Sequence, residues 1–236
     1  MYQEVPLHDL AFSIGRITTS SSTIQGPTRV LRGIYRHKNL FNESHRLLAA
    51  KSTNYTEITA AMRSVQNILH EVSINHVAFC TQWGIGEREL EGTPESTATT
   101  AYGAYIMDIG FQGDSVKLNM ALAACLVGYG EVGLWLVDES KRPGSWVIMD
   151  ESSNPYVPWI KEYSGEMYQK AVEMGLGALR AHSASFLLKV DDIPATIEGA
   201  GSIAPLTNER FEELAAIWRK CVTLEKGFWD MAIALS

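Results

Sequence analysis

The run from Ser115 to Asp138 constrains this chain more than any other segment. Leu118 to Gly130 is 13 residues without a charge, and its apolar residues cover every face of a helix rather than one stripe. A helix apolar all round has to be enclosed by other elements. Asp114 supplies an N-cap in front of it and Arg142-Pro143-Gly144 a stop behind it. The expected place for this helix is the centre of a bundle; 13 uncharged residues are too few to cross a bilayer.

The flanking segments supply the enclosure. Tyr55 to Trp83 carries Ile58, Met62, Val65, Ile68, Leu69, Val72 and Val77 at three- and four-residue steps, one amphipathic face. Gly84 to Gly92 interrupts it. Thr93-Pro94-Glu95 then reads as a helix start, with Thr93 as cap, running to about Ile109. Asn154-Pro155 opens a helix broken near Tyr163-Ser164-Gly165 and resumed from Glu166 to His182. Thr207 caps a last helix from Asn208 to about Leu235, with Glu209, Glu212 and Glu213 at its positive end. Ser183 to Leu206 lacks helical period. The pattern predicts an all-α fold, a bundle of roughly six to eight helices in one domain.

Composition narrows the function classes. Hydrophobic residues are 46% of the chain, enough for a packed core and too many for a disordered segment. Lys and Arg number 20 against 27 Asp and Glu, net charge −7. That balance argues against nucleic acid or an anionic membrane surface as the partner. Three widely spaced cysteines, Cys80, Cys125 and Cys221, form no disulfide framework and no zinc pattern. The opening MYQEVPLHDL has no apolar signal core, and the Ser/Thr-rich Arg16 to Gly26 reads as a flexible arm rather than a transit segment. A reducing, cytoplasmic location is the expectation.

Several constellations could carry chemistry. Gly128-Tyr129-Gly130-Glu131-Val132-Gly133 matches G-x-G-x-x-G, with Asp150 after Trp146-Val147-Ile148-Met149. A dinucleotide fingerprint would need a strand before it and a crossover helix after it. Only Leu134 to about Arg142 is available for that helix, so glycines inside a buried helix are the favoured reading. Cys125 and Tyr129, at i and i+4, share one face: a candidate nucleophile beside a phenol, or a small buried hydrophobe. Glu225 stands one turn before Phe228-Trp229, placed to be a desolvated proton donor or an exposed acid beside Lys226. Tyr156, Trp159, Tyr163 and Tyr168 are core aromatics or a ligand platform. His70-Glu71 with His76 lacks a metal-ligand spacing, and these residues are expected to pack or to face solvent. No metal is expected.

Taken together these residues resemble the thiaminase II family (the TenA/THI-4 group), and its fungal branch in particular. The matching segments are Cys125-x-x-x-Tyr129 on a central helix, Trp159-Ile160-Lys161-Glu162-Tyr163, and Glu225 before Phe228-Trp229-Asp230-Met231-Ala232. Glu95-Ser96, Ala101-Tyr102 and Met107-Asp108-Ile109-Gly110 add to the likeness. It covers about Leu47 to Leu235, so residues 47–236 are expected as the family domain with an insertion at 183–206, and residues 1–46 as a divergent, partly flexible segment.

The resemblance implies a haem-oxygenase-like helical bundle, a homotetramer, and no cofactor. It also implies an aminopyrimidine aminohydrolase of thiamin salvage. In that role Cys125 is the nucleophile, Glu225 the general acid, and Tyr129, Tyr163 and Phe228 the substrate-binding residues. An Asp that binds the aminopyrimidine in the family would fall near Tyr35, where no acid stands; Asp9 and Glu43 are the nearest upstream replacements. The expectation is therefore a hydrolase slowed by its N-terminal departure. The alternative is a catalytically degenerate member that binds a pyrimidine or a protein partner.

Overall fold

The computed structural model describes residues 25–82, 84–152, 154, 156–184 and 207–234. The described elements are α1 (Gln25–Lys51), α2 (Tyr55–His70), a π-helical segment (Glu71–His76), α3 (Val77–Gln82), α4 (Glu87–Gly92), α5 (Thr97–Gln112), α6 (Ser115–Ser140), α7 (Val157–Ser164), α8 (Glu166–Ala184) and α9 (Asn208–Ala234). Among the described residues there is no strand. The fold is the expected all-α bundle.

The central helix is where its sequence places it. Asp114 caps α6, its carboxylate accepting the Lys117 backbone N–H at 3.0 Å. The helix packs against α1, α5, α7, α8 and α9. By length and composition α6 could cross a membrane, but 61% of its most apolar window is buried inside the bundle. Leu118, Ala121, Leu122 and Ala124 form one core with Tyr102 and Ile106 of α5 and Ile217, Cys221 and Val222 of α9. One helical stretch further, Tyr129, Val132 and Leu136 form a second core with Ile160 of α7, Phe228 and Trp229 of α9 and Ile34 of α1.

The glycines of the G-x-G-x-x-G run lie inside α6, and none has positive φ. A Cβ on Gly133 would stand 2.8 Å from the Ser164 nitrogen and the Tyr163 carbonyl carbon; one on Gly130 would stand 2.8 Å from Val172 Cγ2. Close approach of α7 and α8 accounts for both glycines, and the dinucleotide layout is excluded because no strand precedes them. Gln169 of α8 fastens the same contact, donating from Nε2 to the Gly130 and Tyr163 carbonyls at 3.1 and 2.8 Å.

Three local expectations change. Ser96, not Thr93, caps α5: its hydroxyl accepts the Thr99 N–H at 3.1 Å, while Thr93 ends the short α4. Pro94 then lies in the connection, where its missing N–H costs nothing. The Tyr55–Trp83 segment is not one α-helix, since Glu71–His76 is π-helical and the Val77 N–H reaches back to Val72 O. The apolar face of α2 is only partly covered, with Val65 buried but Met62 and Leu69 43% and 51% exposed. Before this, the stretch ahead of Leu47 that showed no family pattern forms most of α1, a helix of 27 residues. Residues 1–24 and 185–206, including most of the expected insertion, lie outside the described residues.

Candidate active site

The second core encloses the residues singled out in the sequence. Cys125 and Tyr129 share a face of α6, and Glu225, Phe228 and Trp229 share a face of α9 at i, i+3 and i+4. Packing α6 on α9 brings the faces together. The Tyr129 hydroxyl donates to Glu225 Oε1 at 2.6 Å, and Glu225 is 0% exposed. An acid so placed has to be held by polar partners, because burying an unpaired carboxylate costs several kcal/mol or more. The fully buried Tyr102 of α5 is the other phenol at this carboxyl. Burial and the Glu225 charge push its hydroxyl well above the ordinary tyrosine range.

An aromatic cage surrounds the pair. The Tyr129 ring lies 5.1 Å from Tyr163, 5.7 Å from Trp159 and 6.0 Å from Trp229, centroid to centroid. Trp159 and Tyr163 are 4.6 Å apart, and Tyr168 meets Tyr163 edge-on at 4.5 Å. These separations are those of favourable aromatic pairs. Phe228 is fully buried and braces Trp229 at 5.6 Å. Nε1 of Trp159, Nε1 of Trp229 and the Tyr156 hydroxyl are buried without a hydrogen-bond partner among the described residues. Buried polar atoms of this kind call for an explanation, and a polar ligand is one.

Cys125 is half-buried and packs against the same cluster. Burial pushes its thiol well above its ordinary range, the Glu225 carboxylate adds to this, and Lys38 partly offsets both. The resting group is a thiol that has to lose a proton before it attacks. Cys80 and Cys221 are fully buried in other clusters, pushed up by burial to about 11 and about 12. Cys80 Sγ lies 3.5 Å from His76 Nε2, a contact inside a small apolar cluster with Ile85 and Leu90.

All five expected site residues, Cys125, Glu225, Tyr129, Tyr163 and Phe228, therefore meet in one cluster, with Trp159, Trp229 and Tyr168. The first helix behaves differently from expectation. Tyr35 stacks on His76 at 6.3 Å and packs on the Cys80 cluster, so an acid at position 35 would not face the cage. Its neighbour Ile34 does so, as an apolar residue. Glu43 is exposed rather than enclosed with the cluster, and Asp9 lies outside the described residues. Glu71, expected to face solvent, is ion-paired with Lys38 of α1 across 33 residues of chain. No sequence spacing signals a contact of that separation. Among the described residues no cluster of three or more His, Cys, Asp or Glu could hold a metal.

The TENA/THI-4/PQQC family profile matches residues 38–192. An aminopyrimidine aminohydrolase of Halalkalibacterium halodurans is 27% identical over 158 residues, 66% of this chain and 58% of that protein. A fission yeast protein described as hydroxymethylpyrimidine/phosphomethylpyrimidine kinase 2 is 27% identical over 190 residues, 80% of this chain but 29% of its own length. Among solved structures, a TenA family transcription regulator from Silicibacter sp. superposes with TM-score 0.75 at 23% identity, over 97% of this chain and 92% of that one, a likeness of fold. With the profile spanning well over half its residues, this chain belongs to the TENA/THI-4/PQQC family.

Proposed function

We propose that the protein is an aminopyrimidine aminohydrolase, a thiaminase II-like enzyme of thiamin salvage working in the cytoplasm, with Cys125 as nucleophile and Glu225 as proton carrier. The observation that carries this reading is the buried Tyr129–Glu225 hydrogen bond at 2.6 Å, one helical turn from Cys125 and enclosed by aromatic rings. The similarity to the Halalkalibacterium enzyme supports it.

The chemistry follows from these groups. An electron-poor pyrimidine stacks among Tyr129, Tyr163 and Trp159. Cys125 passes its proton to Glu225 and its sulfur bonds to a ring carbon. The adduct is no longer aromatic, and it expels the amine from the exocyclic methylene more readily than the intact ring would. Glu225 gives the proton to the departing nitrogen. Water adds to the methylene, its proton returns to sulfur, and the carbon–sulfur bond breaks. The net change is replacement of NH2 by OH with release of ammonia. Tyr129 positions the Glu225 carboxyl throughout. By family resemblance the working assembly is a homo-oligomer, a tetramer.

The test is ammonia release from aminomethylpyrimidine. Cys125→Ala is the blank, Cys125→Ser should reduce turnover by at least about 10²-fold, and Glu225→Gln should lower it with the fold intact. A Cys125→Ser protein that turns over normally would remove the mechanism. Absence of turnover in the wild type, with pyrimidine binding retained, would favour a non-catalytic binding protein.

A further inference from the structure

A neutral 4-aminopyrimidine carries two polar groups side by side on one edge: a ring nitrogen that accepts and an amino group that donates. A site that selects it needs a donor and an acceptor at the same spacing. Glu225 is committed to Tyr129, and the inner cage is aromatic. The ion pair that joins α1 to the π-helical segment is Lys38 with Glu71.

Three observations join that pair to the cage. Lys38 lies one turn after Ile34, on the same face of α1, and Ile34 is packed in the cluster with Tyr129 and Trp229. The side chains of Lys38 and Glu71 are only 16% and 28% exposed, far from the usual state of a surface pair. The Lys38 charge reaches Cys125 as well as Cys80, and the Glu71 charge reaches Tyr163 and its neighbour Glu162. Glu71 stands at the first position of the π-helical segment. Segments of this kind recur at functional sites.

We propose that the Lys38–Glu71 ion pair is the recognition element for the aminopyrimidine edge, the Lys38 ammonium donating to the ring nitrogen and the Glu71 carboxylate accepting from the amino group. The inference rests on the proposed function and names its specificity determinant. Lys38 occupies Oε1 of Glu71, and Oε2 has lone pairs for the amino group. The ammonium has three hydrogens and can serve Glu71 and the ring nitrogen together. The same pair rejects a 4-oxopyrimidine, whose edge carries an N–H where the amino form has an acceptor and a carbonyl where it has a donor. Both positions then meet like with like, which is discrimination by repulsion as well as attraction.

The experiment measures binding by calorimetry to the full chain in the Cys125→Ala background, so that nothing turns over. The probes are 4-amino-5-hydroxymethyl-2-methylpyrimidine and its 4-oxo counterpart. The otherwise unaltered site should prefer the amino form by tenfold or more. Glu71→Gln should raise its Kd roughly 5- to 150-fold, the loss expected when a buried polar group goes unpaired. Lys38→Met/Glu71→Met removes both charges without leaving a buried orphan, a replacement that structures tolerate well, and should bring the amino-to-oxo ratio close to one. Circular dichroism checks that each variant is folded. A ratio unchanged in the double variant overturns the inference while the proposed function stands. Failure of the unaltered pair to bind either pyrimidine overturns both.

Discussion

Tyr129→Phe removes one oxygen atom and nothing else from the centre of the molecule. In the native protein that hydroxyl donates to Glu225 Oε1 at 2.6 Å, where the carboxyl has no access to solvent. A hydrogen bond to a charged group contributes about 1.5–3 kcal/mol, because the acceptor left behind cannot be rehydrated. The ring itself stays, so its contacts with Tyr163, Trp159 and Trp229 are kept and no cavity larger than the hydroxyl opens. Stability should fall by about 1.5–3 kcal/mol, read as a lower urea midpoint with an unchanged slope. The same substitution in a Glu225→Gln background should cost only about 0.5–1.5 kcal/mol, the range for a neutral pair. The difference between the two costs is the coupling between the residues. Equal costs in both backgrounds, or a Tyr129→Phe protein as stable as the wild type, would refute the claim that this bond holds the buried acid.

Gly133→Ala should destabilise, because its Cβ would stand 2.8 Å from backbone atoms of Tyr163 and Ser164 that cannot rotate away. Overpacking of about 1–3 kcal/mol outweighs the roughly 1 kcal/mol that alanine gains in a helix; a raised melting temperature would contradict the close contact. Burial raises the Asp114 carboxyl, but the Lys117 N–H and Arg210 outweigh it and hold the group below its ordinary value. Its contribution is therefore complete above the unfolded value near 4 and is lost as pH falls through the lower folded value. Asp114→Ala should lose about 1 kcal/mol at neutral pH and flatten the acid limb of a stability–pH profile; an unchanged acid limb would count against this cap.

Residues with short-range signals were legible without a structure. The all-round apolarity of Leu118–Gly130 could be satisfied only by enclosure, and α6 is enclosed. Asp114 and Thr207 cap where their local chemistry says, the latter accepting the Arg210 N–H at 3.1 Å. The faces carrying Cys125 with Tyr129, and Glu225 with Trp229, follow from helical spacing alone. Resemblance to the family was what joined them, since 96 residues separate Tyr129 from Glu225.

Tertiary structure decided the rest, mostly through contacts distant in the chain. Whether Gly128 to Gly133 cradled phosphates or admitted a neighbouring helix depended on α7 and α8. Ser96 and Thr93 offer the same hydroxyl chemistry, and only the path of the chain after α4 chose between them. Periodicity treats Tyr55–Trp83 as one helix because a single wide turn leaves the apolar pattern almost unaltered. Composition makes Lys38 and Glu71 two ordinary surface charges. They become a largely buried pair because α1 packs against the π-helical segment, and an ion pair of that kind has no local pattern to read.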